Sequence, residues 1–192
     1  MENEILKYLS KYVTITDELE QAILESDFIR SYKKGTILLK EGAVSNECYF
    51  VIKGCIRCYY LVDGEEKTTE FYTEEESVTP SAFGKHTPSE CYLECIEDTI
   101  AGVGTPEQEI EMYRKFPQIE SLNRALGEAI MAKYQNTFAE FKMASPEQRY
   151  LNLMKTRPDL LLRAPQHQIA SYLGIKPESL SRIRKRVMKK PK

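Results

Sequence analysis

Histidine is almost missing from this chain. With only His86 and His167 in 192 residues, far apart in sequence, the sets of several histidines and a glutamate that hold metal in roll-shaped enzymes cannot be assembled. No nucleophile–base set or glycine-rich phosphate loop takes their place. The sequence therefore predicts no catalytic activity and calls for no cofactor. It also lacks any run of about 18 apolar residues, which argues against a transmembrane helix. The opening "MENEILKYLSKYV" has neither the basic start, the apolar centre nor the small-residue cleavage site of a secretory signal. A cytoplasmic protein with no membrane partner is expected.

Cysteine is sparse and odd in number: Cys48, Cys55, Cys58, Cys91 and Cys95. Five thiols without a secretory signal point to a reducing compartment rather than to a disulfide framework. Cys55-x-x-Cys58 has the spacing of a redox or metal pair, but it falls in "FVIKGCIRCYYLV", which reads as strand. Positions three apart on a strand face opposite ways, so the two are expected to be small buried residues.

What the chain does have is a division of charge. From Ser145 onward twelve basic residues face three acidic ones, a net of +9; the fifteen basic and twenty-six acidic residues before it carry −11. A basic end on an acidic body indicates that one end alone meets a polyanion.

Patterning divides the chain further. Up to Leu24 the apolar spacing is helical, with Thr16-Asp17 as a capping pair. From Ile29 short apolar runs ("TILLK", "ECYFVIKG", "CIRCYYLVDG", "KTTEFYT") are punctuated by glycines, and Asp63-Gly64 is a hairpin signal. Such runs predict an antiparallel, jelly-roll-like β-roll. A further strand pair is expected in "CYLECIEDTIAGVG". After Pro106 the reading is helical. From Pro117 to about Lys142, Ile119, Leu122, Leu126, Ile130, Tyr134, Phe138 and Phe141 recur at spacings of three and four. A helix of that length spans roughly 35–40 Å, more than one small roll needs, and predicts dimerisation along this face. Ser145-Pro146 breaks it with an N-cap and a first-turn proline. "PEQRYLNLMKTR" follows as an amphipathic helix, and "DLLLRAP" as a short connector or strand.

In "HQIASYLGIKPESLSRIRKRV" Ile169, Ala170 and Leu173 form the inner side of one helix, and Leu180, Ile183 and Val187 that of a second. Gly174 supplies a left-handed turn, and the small Ala170 lets the helices cross closely. This is the steric signature of a helix-turn-helix. On the second helix, Arg182 can pair bidentately with a guanine and Glu178 can accept from a cytosine amine. Gln168, Lys176, Ser179, Ser181, Lys185 and Arg186 complete the predicted DNA-binding set, most of them placed for phosphates.

A glycine-punctuated roll, a long helix, a hinge and then this motif resemble the Crp/Fnr superfamily of bacterial transcription regulators over nearly the full length. "KKGTILLKEGAVSNECYFVIKGCIRCY" resembles the start of that family's cyclic-nucleotide-binding-like roll, and "IASYLGIKPESLSRIRK" its DNA-reading element. The resemblance implies an α+β protein with three parts: a sensor roll over 1–115, a dimerisation helix over 116–143, and a winged-helix or helix-turn-helix domain over 144–192. It implies a homodimer on double-stranded DNA, reading inverted half-sites about one turn apart. Activation would need a surface for RNA polymerase, which no motif marks.

The sequence departs from the family where cyclic AMP would bind. In place of Gly-Glu-Leu and a later Arg-Ser or Arg-Thr stands "SVTPSAFGKHTPSECYLE", with Ser89-Glu90 where the arginine is expected. Glu90 would repel a phosphate, so the effector is unknown and not cyclic AMP in the usual mode. No cysteine precedes Cys48 to build the family's iron–sulfur sensor, and His86, the candidate haem ligand, reads as an exposed loop residue. The competing expectation is a small-molecule sensor, cyclic-nucleotide-like, whose DNA binding is strictly ligand-driven.

Overall fold

The structure, a computed structural model, describes residues 2–25 and 28–189. Two short helices lead, α1 (Glu2–Leu9) and α2 (Asp17–Glu25). Thr16 Oγ1 accepts the Leu19 N–H at 3.2 Å, and acidic residues fill the first turn of α2, where the helix dipole favours them.

Eight strands follow: β1 (Ile29–Tyr32), β2 (Ile37–Leu39), β3 (Cys48–Lys53), β4 (Ile56–Val62), β5 (Glu65–Tyr72), β6 (Ser77–Val78), β7 (Tyr92–Cys95) and β8 (Thr99–Gly104). They form two four-stranded antiparallel sheets, ordered β1-β8-β3-β6 and β2-β7-β4-β5. The Asp63-Gly64 signal is realised as the β4–β5 turn, both residues at positive φ (54° and 77°), as a type I′ turn requires. Tyr49, Val51, Ile56, Leu93, Ala101 and Val103 meet between the sheets. The expected strand pair "CYLECIEDTIAGVG" forms as two strands that do not pair with each other. β7 lies in one sheet and β8 in the other, so the chain crosses the roll at 96–98 and both strands turn apolar faces into one core.

Helices α3 (Pro106–Lys115) and α4 (Pro117–Met143) come next. Thr105 and Gln108 make a reciprocal capping box on α3. Ile5, Leu19, Ile23, Ile52, Phe116 and Ile119 gather as a second core that ties α1, α2 and the start of α4 to the outer face of the first sheet. Within the single chain the stripe on α4 meets several surroundings, and Ile130, Tyr134, Phe138 and Phe141 stay exposed. Ile119 is buried within its own chain. Leu126, Ile130 and Tyr134 line a cavity beside the N-terminal helices, and Phe141 lies under the Arg149 guanidinium at 4.0 Å.

The last part holds α5 (Pro146–Thr156), α6 (Leu160–Arg163), α7 (Gln166–Tyr172) and α8 (Pro177–Lys189). Ser145 caps α5 as its sequence predicts, accepting the Gln148 N–H at 3.2 Å. "DLLLRAP", read as a connector or strand, is a helical turn instead, because Leu160 is drawn fully into the core of this head. Among the described residues of 144–189 there is no strand, so the wing of the expected winged helix has no counterpart there. Lys190 and Lys192, counted in the basic end, lie outside the described residues.

Candidate nucleic-acid interface

The head is built around a small apolar centre. Tyr150 and Leu153 of α5, Leu160 of α6, Ile169, Ala170 and Leu173 at α7, and Leu180 and Ile183 of α8 are all buried together. Ala170 is fully buried, as a close helix crossing demands. Gly174 turns the chain at φ 65°, and a Cβ there would come within 3.2 Å of both Arg149 and Phe141. A side chain is thus disfavoured both by conformation and by space.

Arg149, which no motif marked, organises this turn. Its Nη1 donates to the Leu173 carbonyl at 2.9 Å and its Nε to the Ala144 carbonyl at 3.2 Å, while its face covers Phe141. One guanidinium therefore links the end of α4, the Ala144–Pro146 hinge and the turn between α7 and α8.

With the inner side of α8 fixed, its outer side is set. Lys176, Glu178, Ser181, Arg182, Lys185 and Arg186 are exposed and Ser179 half-buried. Arg182 Nη2 donates to Ser179 Oγ at 3.2 Å, one helical turn away, which steadies the long side chain. Arg186 forms an ion pair with Glu147 of α5 at 2.6 Å, so part of its charge is already answered within the head. Gln168 departs from the predicted set. It is buried, and its Oε1 has no hydrogen-bond partner. Gln168 and Tyr172 share one face of α7 by their spacing of four, and Tyr172 packs edge-on against Phe71 of β5 at 5.4 Å. That face looks toward the roll, not toward a ligand outside.

The head is docked on the roll by polar contacts that the sequence did not announce. Ser171 Oγ accepts the Thr68 N–H at 2.8 Å and donates to the Glu66 carbonyl at 2.9 Å. Arg157 reaches Glu70 at 3.1 Å, Glu76 at 3.1 Å and Thr73 at 3.2 Å. Arg163 holds Glu74 at 2.8 Å, Glu97, and the Gly54 carbonyl at 2.8 Å. Burial pushes the Glu70 carboxyl up, above the ordinary carboxylate range. Burial also raises Glu74, but hydrogen bonds from Arg163 and from the Gly54 N–H outweigh it and hold that carboxyl below its usual value.

The loop where a cyclic nucleotide's phosphate would be sought is closed by its own chain. The Ser89 N–H donates to the Ala43 carbonyl and the Gly42 N–H to the Ser89 carbonyl, each at 2.8 Å. Ser89 Oγ donates to the Cys91 carbonyl at 2.9 Å. Glu90 is exposed. The buried guanidinium of the roll, Arg57, is engaged by Glu66 at 2.7 Å, Glu94 at 3.2 Å and Thr68 at 2.9 Å, with the Tyr59 ring 4.3 Å away. His86 is exposed in its loop. Cys55 and Cys58 sit in two separate apolar clusters, and among the described residues no three metal-ligating side chains gather. No helix among them is long and apolar enough to cross a membrane.

Residues 29–113 match the family model described as the cyclic nucleotide-binding domain. No curated protein matches the chain. Among solved structures the chain is similar to FixK2 from Bradyrhizobium japonicum, at 18% identity over 83% of each chain with a TM-score of 0.69. A CooA variant from Carboxydothermus hydrogenoformans is 20% identical over 92% of this chain and 86% of its own, with a TM-score of 0.66. The c-di-GMP-responsive global regulator CLP of Xanthomonas campestris is 16% identical over 83% and 86%, with a TM-score of 0.65. Residues 29–113 thus resemble a cyclic nucleotide-binding domain, and the chain as a whole shares its fold with FixK2 and CooA.

Proposed function

We propose that the protein is a transcription regulator that binds inverted-repeat DNA as a homodimer in the cytoplasm. The roll, to about residue 115, would serve as the sensor, α4 as the dimerisation element and the head from 144 as the reader. The observation that carries this reading is α8 itself. Its apolar side is locked into the head while Lys176, Arg182 and Lys185 stand exposed around Glu178, on a terminal part with a net charge of +9 in a chain of −2. That is the arrangement a major groove requires, since phosphates supply affinity and a few base-edge contacts supply specificity.

The effector is not cyclic AMP held in the usual way. The loop at Ser89-Glu90 offers a carboxylate where a phosphate needs a cation, and the nearest buried guanidinium, Arg57, is already paired on both sides. A second reading, in which DNA binding is strictly ligand-driven, is favoured by the head–roll contacts of Ser171, Arg157 and Arg163. They hold the reader against the roll and must yield if the two heads of a dimer are to be re-aimed about the hinge.

The test is selection from a random double-stranded DNA pool with the wild type and Arg182→Ala in parallel, without effector and then with cell extract. An enriched inverted repeat that the variant loses or degrades is the expected result. Enrichment only with extract would select the ligand-driven reading, and none in either condition would overturn the DNA-binding one.

A further inference from the structure

A large cavity among the described residues lies outside the sheets. It occupies about 930 Å³ between α1, α2, α3, α4 and the outer face of the first sheet, within the range of small-molecule sites. Two features of its wall bear on what it could hold.

The first is aromatic density. Tyr8, Phe50, Tyr72, Tyr113, Phe116 and Tyr134 all line it, and the rings of Tyr8 and Phe50 lie 4.8 Å apart. The second is the sign of its charge. Five glutamates (Glu25, Glu75, Glu76, Glu109 and Glu111) line it against two lysines, Lys115 and Lys133, and no arginine. Both lysines are matched, Lys115 to Glu111 at 2.8 Å and Lys133 to Glu76 at 3.2 Å, and Glu75 is held by Lys11 and Glu76 also by Arg157, so of the five only Glu25 and Glu109 enter no ion pair among the described residues. Glu109 accepts a hydrogen bond from the Tyr113 hydroxyl, which in turn accepts from Asn123 Nδ2 at 2.8 Å.

An apolar, aromatic chamber in which Glu109 stands without a cationic partner among the described residues disfavours anions and favours cations, whose charge also interacts with ring faces. The chain itself demonstrates the preference at the rim. Lys11 places its ammonium 5.5 Å from the centre of the Tyr8 ring while bonding Glu75 at 2.7 Å. We infer that this cavity is a binding site for a lipophilic organic cation, a molecule of drug size with a delocalised or quaternary positive charge. Its rings would stack among the tyrosines and Phe50, and its charge would face Glu109. The site stands whether or not the head binds DNA, because none of its walls belongs to the head.

The experiment compares two ions of nearly equal shape and opposite charge, tetraphenylphosphonium and tetraphenylborate, by isothermal titration calorimetry on the full chain. The phosphonium is expected to bind at least about tenfold more tightly than the borate, and Glu109→Gln, which keeps the side chain's shape, to weaken the phosphonium by about fivefold. Equal affinity for the two ions would overturn the inference, leaving a greasy slot without charge preference, and so would failure of both to bind. Sedimentation on the same samples adds a further criterion. Phosphonium uptake confined to the monomer would assign the groove to a second copy of the chain and overturn the inference as well, whereas uptake by the dimer supports it.

Discussion

Ser171 and Thr68 lie 103 residues apart in sequence and share one hydrogen bond: the Thr68 N–H donates to Ser171 Oγ at 2.8 Å. The same hydroxyl donates to the Glu66 carbonyl at 2.9 Å, so a single side chain on α7 satisfies two backbone groups of β5. Ser171→Ala leaves both groups without that partner. The loss is worth about 1–3 kcal/mol of head docking where water cannot replace the bond. Limited proteolysis at the Ala144–Pro146 hinge should therefore run several-fold faster in the variant. An unchanged cleavage rate would mean that the arginines and the apolar contacts around Phe71 hold the seam without it.

Those arginines make the seam sensitive to acid. Glu74 is pushed up by partial burial but held down more strongly by Arg163 and the Gly54 N–H, and ends below its usual range. A carboxyl with a folded pKa below its unfolded one contributes fully above the ordinary value near 4.3 and loses that contribution as pH falls through the folded value. Glu70 runs the other way, since burial raises it; it takes a proton earlier and releases its hold on Arg157 first. The expected order on acidification is therefore Arg157 loosening before Arg163. Following the two guanidinium Nε–H signals by nuclear magnetic resonance through an acid titration tests it, and coincident midpoints would refute the ordering.

Roles within the reading face are separable by substitution. Arg182, steadied by Ser179 at 3.2 Å, is assigned to a base edge, and Lys185 to a phosphate. Arg182→Ala should cost about 1–3 kcal/mol on the selected operator and relax one position, whereas Lys185→Ala should weaken every sequence alike and lower the salt slope by about one. Fluorescence anisotropy on specific and random duplexes over a salt series separates the two. Equal losses on both duplexes for both variants would dissolve the assignment.

These contacts differ in how far they could be read from sequence. Asp63-Gly64, Ser145-Pro146 and the Ala170, Gly174, Leu180 spacing were legible because each encodes a local conformational need: a primed turn, an N-cap, a close crossing. The stripe on α4 was legible as apolar but not as to what covers it. Periodicity marks an apolar face without saying what covers it, and here Ile119 is buried in the chain's own core while Ile130, Tyr134, Phe138 and Phe141 remain exposed. Gln168 was misplaced because the docking of α7 on β5 turns its face inward. Arg157 and Arg163 were invisible as anchors, since an ion pair across 60 to 90 residues leaves no periodic trace and reads as part of a basic run. β7 and β8 were legible as a pair of strands but not as members of different sheets, because alternation within a strand does not tell which sheet it joins.

The cysteines, of which the sequence marks only Cys55 and Cys58 as small buried residues, differ sharply in their surroundings. Burial pushes the Cys55 thiol up to about 12 and Cys95 up to about 11, so neither carries appreciable thiolate near neutral pH. Cys91 moves the other way, downward, because its interaction with the neighbouring Cys58 thiol outweighs burial, with Ser89 adding a smaller contribution. Cys58 is raised in turn. Since the thiolate is the nucleophile, Cys91 should be the fastest of the five to react with iodoacetamide at pH 7, its rate falling as pH drops through its lowered pKa. Cys58→Ala removes that neighbour and leaves the burial, so it should slow Cys91 and move its profile to higher pH. Peptide mass spectrometry after timed alkylation reads both effects. If Cys91 labels no faster than Cys95, or if the substitution leaves its profile in place, the interaction with Cys58 does not set its reactivity.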